Sequence, residues 1–210
     1  MINSDSDKND FDAKAATWDT PEKIERAQIM ADAILADSTD IKLESAFEYG
    51  CGTGLVSFAL HEKIQKITLA DISDGMLRVL NNKIHATQVT NLFPIKLDLT
   101  IDPLPLERYD LIYTLQTLHH IRDTTQIIQT FHAMLNEKGR LFIADLDFED
   151  GSFHGEGFEG HNGFVREDLR NIALSVGFNH VKFQDIYSII KTAANGESRK
   201  YPLFLMIATK

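Results

Sequence analysis

The chain has 210 residues, 43% of them hydrophobic and 25% charged, which is typical of a single globular domain. Its one cysteine, Cys51, excludes an internal disulfide and a cysteine-based zinc site. Lys and Arg number 21 against 31 Asp and Glu, and the net charge of -10 without any basic run disfavours a nucleic-acid partner. The polar, acidic N-terminus and the lack of an apolar run of about 20 residues predict a cytoplasmic protein without a membrane segment.

Helical and extended patterns alternate along the chain. Residues 1–10 have little apolar content, so we expect a disordered tail followed by one domain over residues 11–210. Helices are predicted from Pro21 after a Thr20 cap, over Leu55–Glu62, from Asp74, after Asp123, and from Arg166 to Gly177. Strands are predicted over Ser45–Tyr49, Ile67–Ala70, Pro94–Leu97, Tyr109–Leu115, Leu141–Asp145, Val181–Ile190 and Leu203–Thr209.

This alternation predicts the fold class. Strands that alternate with helices form a parallel sheet with helices on both faces. The last two strands follow each other directly, and the turn signal Ala194-Asn195-Gly196-Glu197 between them favours antiparallel pairing. We therefore expect an α/β, Rossmann-like, seven-stranded and mostly parallel sheet flanked by helices, with an antiparallel C-terminal strand.

A glycine-rich turn lies between the first strand and its helix. Its sequence is Glu48-Tyr49-Gly50-Cys51-Gly52-Thr53-Gly54, at the carboxyl end of a strand, where open α/β sheets bind ligands. Three glycines in five residues let the backbone turn tightly and let a ligand approach closely. A dinucleotide fingerprint would place its third glycine at Leu55, and no lysine followed by Ser or Thr completes a P-loop. The turn therefore favours a ligand without phosphates.

Acidic residues follow the next two strands. Asp71 lies about 20 residues beyond the turn, where a carboxylate accepts hydrogen bonds from ribose hydroxyls. Asp98 ends the third strand and is placed to accept from an exocyclic amine such as that of adenine. An acidic side chain at one strand end is often a turn cap, but Glu48, Asp71 and Asp98 at three successive strand ends predict a nucleoside site.

Together these motifs resemble those of class I S-adenosylmethionine-dependent methyltransferases, in particular the small single-domain members that act on small molecules. The resemblance is carried by the glycine turn, Ala70-Asp71-Ile72-Ser73 with Met76, Leu97-Asp98, Tyr109-Asp110 and the run Leu135–Ile143. It covers nearly the whole chain from Phe11 onward.

The resemblance implies a set of residues around S-adenosyl-L-methionine. Gly50, Cys51, Gly52 and Gly54 would lie along the methionine part, with Glu48 contacting or ordering its amino-acid end, and Asp71 would hold the ribose. Ile72 and Met76 would enclose the adenine, and Asp98, with Leu99 beside it, would bind the adenine amine. Leu115 would face the sulfonium, and Trp18, in an N-terminal helical lid over residues 11–36, would cover the cofactor.

Catalytic residues are less well defined by the sequence. His119 and His120 follow the fourth strand near the expected methyl group and are candidate bases, although local packing or hydrogen bonding is the favoured interpretation of this histidine pair. His154 and His161 lie near Asp145, Asp147, Glu149 and Asp150 without metal-ligand spacing, so we expect no metal site. The long loop over residues 148–164 is the predicted substrate loop, with Phe153, Phe158 and Phe164 as its apolar wall.

The favoured function is transfer of a methyl group from S-adenosylmethionine, which becomes S-adenosylhomocysteine, to an O, N or S atom of a small-molecule acceptor by in-line displacement. A nicotinamide-dependent oxidoreductase on the same fold and a non-catalytic S-adenosylmethionine-binding module are the alternatives. Methylation of a protein or RNA stays open within the first class. The sequence carries no signal for oligomeric state.

Overall fold

The computed structural model describes residues 4–192 and 196–210 and contains six α-helices and seven strands within those ranges. The helices are α1 (Ser4–Lys14), α2 (Pro21–Asp37), α3 (Leu55–Leu60), α4 (Asp74–Thr87), α5 (Thr124–Met134) and α6 (Arg166–Val176). The strands are β1 (Ser45–Tyr49), β2 (Lys66–Asp71), β3 (Leu92–Lys96), β4 (Tyr109–Leu115), β5 (Leu135–Leu146), β6 (His180–Thr192) and β7 (Ser198–Thr209).

The strands form one seven-stranded sheet in the order β3-β2-β1-β4-β5-β7-β6. Strands β1 to β5 pair in parallel, while β7 runs antiparallel between β5 and β6. This arrangement confirms the expected fold class and the antiparallel pairing of the last two strands. In the turn expected between them, Ala194 and Asn195 lie outside the described residues.

The sheet separates two hydrophobic layers. On one face, Ile34 of α2 and Leu80 of α4 pack with Ile67 of β2 in one buried cluster. On the other, Phe131 of α5 and Leu169 of α6 belong to a second buried cluster. Strand β1 lies between β2 and β4, so the chain reverses its winding direction at β1 and leaves a crevice at the carboxyl ends of these strands.

Local signals fixed several element boundaries. The Thr20 hydroxyl accepts a hydrogen bond from the Lys23 amide, and the Asp123 carboxylate accepts one from the Gln126 amide, so both predicted caps are present. Strand β5 begins six residues earlier than the predicted Leu141, at Leu135, because Leu135 pairs with Tyr109 of β4. Strand β7 begins at Ser198 because it pairs with β6 back to Thr192.

The N-terminal segment differs from the expected tail over residues 1–10. Residues 1–3 lie outside the described part of the chain, and helix α1 begins at Ser4. Asp12, near the end of α1, accepts hydrogen bonds at 2.6 Å from the Ser73 hydroxyl and at 2.7 Å from the Gly75 amide. The helix therefore docks on the N-terminus of α4. Across residues 4–192 and 196–210, every helix is too short or too polar to cross a bilayer.

Candidate functional site

A cavity of about 640 Å³ opens at the carboxyl ends of β1, β2 and β4. Most of the residues predicted from the sequence line this cavity: Trp18, Glu48, Gly50, Cys51, Gly52, Asp71, Ile72, Met76, Leu115, His119 and His120. Gly54, Asp98 and Leu99 lie outside its lining. The sheet thus brings one set of side chains from four separate segments into a single pocket.

The glycine turn forms the floor of the cavity. The amides of Gly50 and Cys51 both donate to the Ala70 carbonyl oxygen, at 2.8 and 3.0 Å, which ties the turn to β2. Gly50 has a φ of +68°, and a Cβ there would lie 2.3 Å from the Thr117 hydroxyl oxygen. A Cβ on Gly52 would meet its nearest atom, Trp18 Nε1, at 3.5 Å, which is ordinary van der Waals contact, and Gly52 lines the cavity. Such a turn lets a ligand lie directly against the main chain.

Asp71 fixes the geometry of the turn. One carboxylate oxygen accepts from the Gly52 amide at 2.7 Å and the other from the Ser73 amide at 2.8 Å. A carboxylate has about four acceptor positions, so two stay available for a ligand's hydroxyl groups. Burial raises the pKa of Asp71 above its ordinary value, while both amide hydrogen bonds favour its charged form.

Glu48 is a buried carboxyl group at the end of β1 with 3% exposure. The Ser57 hydroxyl donates to its Oε2 and lies 2.7 Å from the Tyr113 hydroxyl. Burial raises the pKa of Glu48 to about 8. The group therefore stays largely protonated at neutral pH unless a positive charge approaches it.

Asp98 takes part in a turn next to the cavity. Its Oδ1 accepts from the Thr100 amide at 2.9 Å and from the Thr100 hydroxyl at 2.6 Å. The neighbouring Leu99 amide donates to the Tyr49 hydroxyl at 3.2 Å, and Leu99 packs in the core. Leu97 lines the cavity, whereas the neighbouring Asp98 and Leu99 do not. The contacts of Asp98 and Leu99 with adenine therefore stay predictions.

The N-terminal segment closes one side of the cavity. Trp18 makes an edge contact with Phe11 at 5.7 Å between ring centroids, and the Lys23 ammonium lies 3.4 Å from the Trp18 ring centroid. Lys14, Lys23 and Arg26 also line the cavity, and Arg26 Nε is buried without a hydrogen-bond partner among the described residues. The sequence gives no signal for these cations, because lysines and arginines on an amphipathic helix usually face solvent.

Histidines line the part of the cavity next to Phe11, whose ring centroid lies 5.4 Å from that of His120. His119 Nδ1 lies 2.6 Å from Asp145 Oδ1, and both side chains are almost fully buried. The ring centroids of His119 and His120 are 4.3 Å apart, and His154 from the long loop lies 5.0 Å from His119. Burial and the neighbouring imidazoles lower the pKa of His120 to about 2 and that of His154 to about 4.

The long loop supplies part of the expected apolar wall. Phe153 and Phe158 line the cavity together with His154, and the His154 and Phe158 rings stack at 3.8 Å. Phe164 does not line the cavity, because it packs into the core beside α6 instead. The amide of His161 donates to the His119 carbonyl oxygen at 2.7 Å and so holds the end of the loop beside the histidine pair.

Comparison with known proteins relates this site to a methyltransferase domain. Residues 47–141, which hold the glycine turn, Asp71 and the histidine pair, match the family model of the methyltransferase domain. Over 154 residues the chain is 27% identical to an uncharacterized methyltransferase of Schizosaccharomyces pombe, covering 66% of this chain and 54% of that relative. It is 26% identical over 107 residues to a ubiquinone biosynthesis O-methyltransferase of Coxiella burnetii, covering 51% and 45% of the two chains. The chain thus spans about half the length of these relatives.

A solved structure shows the same fold. The phosphoethanolamine N-methyltransferase 2 of Haemonchus contortus, in complex with S-adenosyl-L-methionine, superposes with a TM-score of 0.69 at 15% identity. The superposition covers 86% of this chain and 52% of that one. Taken with the matched domain and the glycine turn at its start, these findings support the resemblance of this chain to the class I S-adenosylmethionine-dependent methyltransferases.

Proposed function

We propose that this protein transfers a methyl group from S-adenosylmethionine to an O, N or S atom of a small-molecule acceptor. The observation that carries the proposal is one cavity lined by two chemically different groups of residues. We assign the glycine turn, Asp71 and Met76 to one end of the cavity, and the histidines with the phenylalanines to the other. A nucleoside cofactor suits the first end, and a separate small acceptor suits the second.

The residues of the first end fit the cofactor. Asp71 would hold the ribose hydroxyls with its remaining acceptor positions, and Ile72 and Met76 supply apolar surface for the adenine. The main chain at Gly52 lines the cavity, and the methionine part would lie against it. The ammonium group of the methionine part would lie near Glu48 and favour the charged form of the Glu48 carboxyl. The carboxylate of the methionine part would pair with the positive charge of Arg26, which also lines the cavity.

The chemistry requires little more than alignment. S-adenosylmethionine supplies a methyl group on a positively charged sulfur, which is already an activated electrophile. The chain's part is to hold an acceptor atom in line with that methyl group, and such positioning contributes roughly 7–11 kcal/mol to lowering the barrier. We propose that Leu115, Trp18 and Phe158 exclude water around this line, since all three border the cavity.

The acceptor is proposed to be small because the space is limited. A cavity of about 640 Å³ has to hold both the cofactor and the acceptor. The relative from Coxiella burnetii is named as an O-methyltransferase, which favours a hydroxyl-bearing acceptor here. His119 and His120 stay the candidates for the residues that act on this hydroxyl group.

Calorimetric titration of the purified chain with S-adenosylmethionine, S-adenosylhomocysteine and NAD tests the proposal. We expect micromolar binding of the first two ligands and no binding of NAD. Binding of NAD alone would favour the nicotinamide-dependent oxidoreductase. Binding of S-adenosylmethionine without methyl transfer to any hydroxyl, amine or thiol acceptor in a broad panel would favour a non-catalytic module.

The variant Asp71→Asn tests the cofactor end of the site. Removing the charge weakens the hydrogen bonds to the ribose, so the dissociation constant of S-adenosylmethionine should rise about tenfold, which corresponds to about 1.4 kcal/mol. Asp32→Asn is the matched control, because Asp32 is an exposed carboxylate on α2 that accepts from Gln28 and does not line the cavity. Unchanged affinity in Asp71→Asn would contradict the assignment.

A further inference from the structure

We propose that His119, His120 and His154 bind one divalent transition-metal ion, with zinc as the best match, at the acceptor end of the cavity. The three residues come from two distant parts of the chain, and one candidate ligand atom from each lies within 4.8 Å of the other two. Nothing in the spacing of the sequence indicates this group, because His154 lies on the long loop.

Asp145 prepares one of the three ligands. Its Oδ1 lies 2.6 Å from His119 Nδ1, and its Oδ2 accepts from the His119 backbone amide at 3.2 Å. The carboxylate therefore holds the proton on Nδ1 and leaves Nε2 as the atom with a free electron pair. A carboxylate that orients a histidine in this way is the usual outer support of a metal-ligating imidazole.

The distances allow metal binding after a small closure. Tetrahedral zinc with ligand distances of about 2.0–2.1 Å needs nitrogen atoms about 3.3 Å apart. Atoms within 4.8 Å of one another must therefore approach by 1.5 Å or so at most. The loop can provide this movement, because Gly155 and Gly157 follow His154 closely and a Cβ at either would meet no atom of the described residues within 4 Å.

The donor set selects the kind of ion. Three imidazoles suit zinc and its neighbours among the transition metals, whereas magnesium and calcium prefer oxygen ligands. Three protein ligands leave a fourth tetrahedral position open, which is typical of catalytic rather than structural zinc. Because all three histidines line the cavity, that position faces the space in which the acceptor would lie.

The site would define the class of acceptor, an inference that rests on the proposed function. An acceptor hydroxyl in the fourth position would have its pKa lowered and would release its proton to solvent. The acceptor oxygen would then form a bond to the methyl carbon while the sulfur–methyl bond breaks. The electron pair stays on sulfur and yields S-adenosylhomocysteine. The acceptor class is therefore a small alcohol or phenol whose oxygen reaches the three histidines.

Zinc binding is measurable without any acceptor or cofactor. The full chain, prepared without a histidine tag and freed of metal with a chelator, is titrated with zinc chloride by calorimetry. We expect one ion per chain with a micromolar or lower dissociation constant, and intense visible absorption bands when cobalt replaces zinc. His154→Asn should raise the dissociation constant at least tenfold, and because His154 lies on an irregular loop this change should leave the fold intact.

His85→Asn is the matched control, since His85 is an exposed histidine on α4 away from the cavity. Asp145→Asn should weaken zinc binding by roughly 10–100-fold, provided that circular dichroism shows a folded chain. Absence of binding below about 1 mM zinc, or wild-type binding in His154→Asn, would overturn the metal site and indicate that the rings only pack together. A chain that binds zinc but not S-adenosylmethionine would instead refute the proposed function and leave the metal site standing.

Discussion

The buried carboxyl group of Glu48 makes the stability of the folded chain depend on pH. Its pKa is about 8 in the folded chain, against 4.5 for a free glutamate, because burial disfavours the charged form. Between these values the folded state holds a proton that the unfolded state has released. The contribution of Glu48 to stability is therefore complete below about pH 4.5 and is lost as the pH rises toward 8.

The variant Glu48→Gln should reduce this loss. Each pKa unit corresponds to about 1.4 kcal/mol, so the free energy of unfolding of the variant relative to wild type should rise by at least about 1 kcal/mol from pH 5 to pH 8. Urea denaturation without ligand at several pH values measures the difference. Parallel pH profiles for the two proteins would contradict the raised pKa.

The conformation of the glycine turn requires a residue without a Cβ at Gly50. Gly50→Ala should destabilise the chain by roughly 1–2 kcal/mol from the positive φ alone, and the overlap of its Cβ with Thr117 adds to this loss. Gly157→Ala is the matched control, since Gly157 has a φ of +87° but open space around its Cβ. Urea denaturation of both variants should therefore rank Gly50→Ala as clearly less stable, and equal losses would contradict the overlap.

Some residues of the cavity could be predicted from the sequence, and others could not. Asp71 and Glu48 were predictable because the ends of parallel strands meet at one edge of a sheet. His119 follows β4 and Asp145 lies near the end of the neighbouring strand β5, so their pairing follows the same logic. The sequence placed Asp145 at the end of a predicted strand but gave no reason to pair it with His119. His154 was not predictable, because the path of an irregular loop depends on contacts such as that of His161 with His119.

Helix α1 lies beside the cavity, and Asp12 anchors it on α4. Asp12 satisfies the Gly75 amide and the Ser73 hydroxyl at the positive end of the α4 dipole. This contact holds Phe11 against Trp18 and His120 at the mouth of the cavity. Residues 11–36, which are predicted to form a lid, comprise the end of α1, the following turn and α2.

Asp12→Ala should therefore loosen the lid without altering the cofactor contacts themselves. We expect S-adenosylmethionine to dissociate about tenfold faster, because a charge-assisted hydrogen bond at a helix N-terminus contributes on the order of 1–2 kcal/mol. Stopped-flow displacement with S-adenosylhomocysteine measures this rate. Asp32→Ala serves as the exposed control, and equal dissociation rates in wild type and Asp12→Ala would exclude a lid held by Asp12.

Elements were easier to predict than their contacts. Strands β1 and β4 have the predicted boundaries because each is a short apolar run with clear turn signals on both sides. Helix α1 escaped prediction because its charged sequence lacks an apolar stripe, and docking through Asp12 gives it a packing partner that no local pattern shows. Its length and its place over the cavity are properties of the assembled fold.

Binding of the cofactor is expected to stabilise the fold of the whole molecule. The cavity is built from the N-terminal segment, the strand ends of the sheet and the long loop, so a ligand in it contacts segments that are distant in sequence. A ligand that binds the folded chain alone stabilises it by about 2.7 kcal/mol at 100 times its dissociation constant. For a domain of this size, each kcal/mol raises the melting temperature by roughly 2–4 °C.

We therefore expect S-adenosylhomocysteine at 100 times its dissociation constant to raise the melting temperature by roughly 5–10 °C. Adenosine at the same concentration should give a much smaller shift, because it reaches Asp71 and Met76 but not the residues around the methionine part, such as Glu48 and Arg26. Differential scanning calorimetry measures both shifts, and NAD is the negative control. Equal shifts with adenosine and S-adenosylhomocysteine would mean that the half of the cavity around Glu48 and Arg26 does not hold the cofactor's amino-acid end.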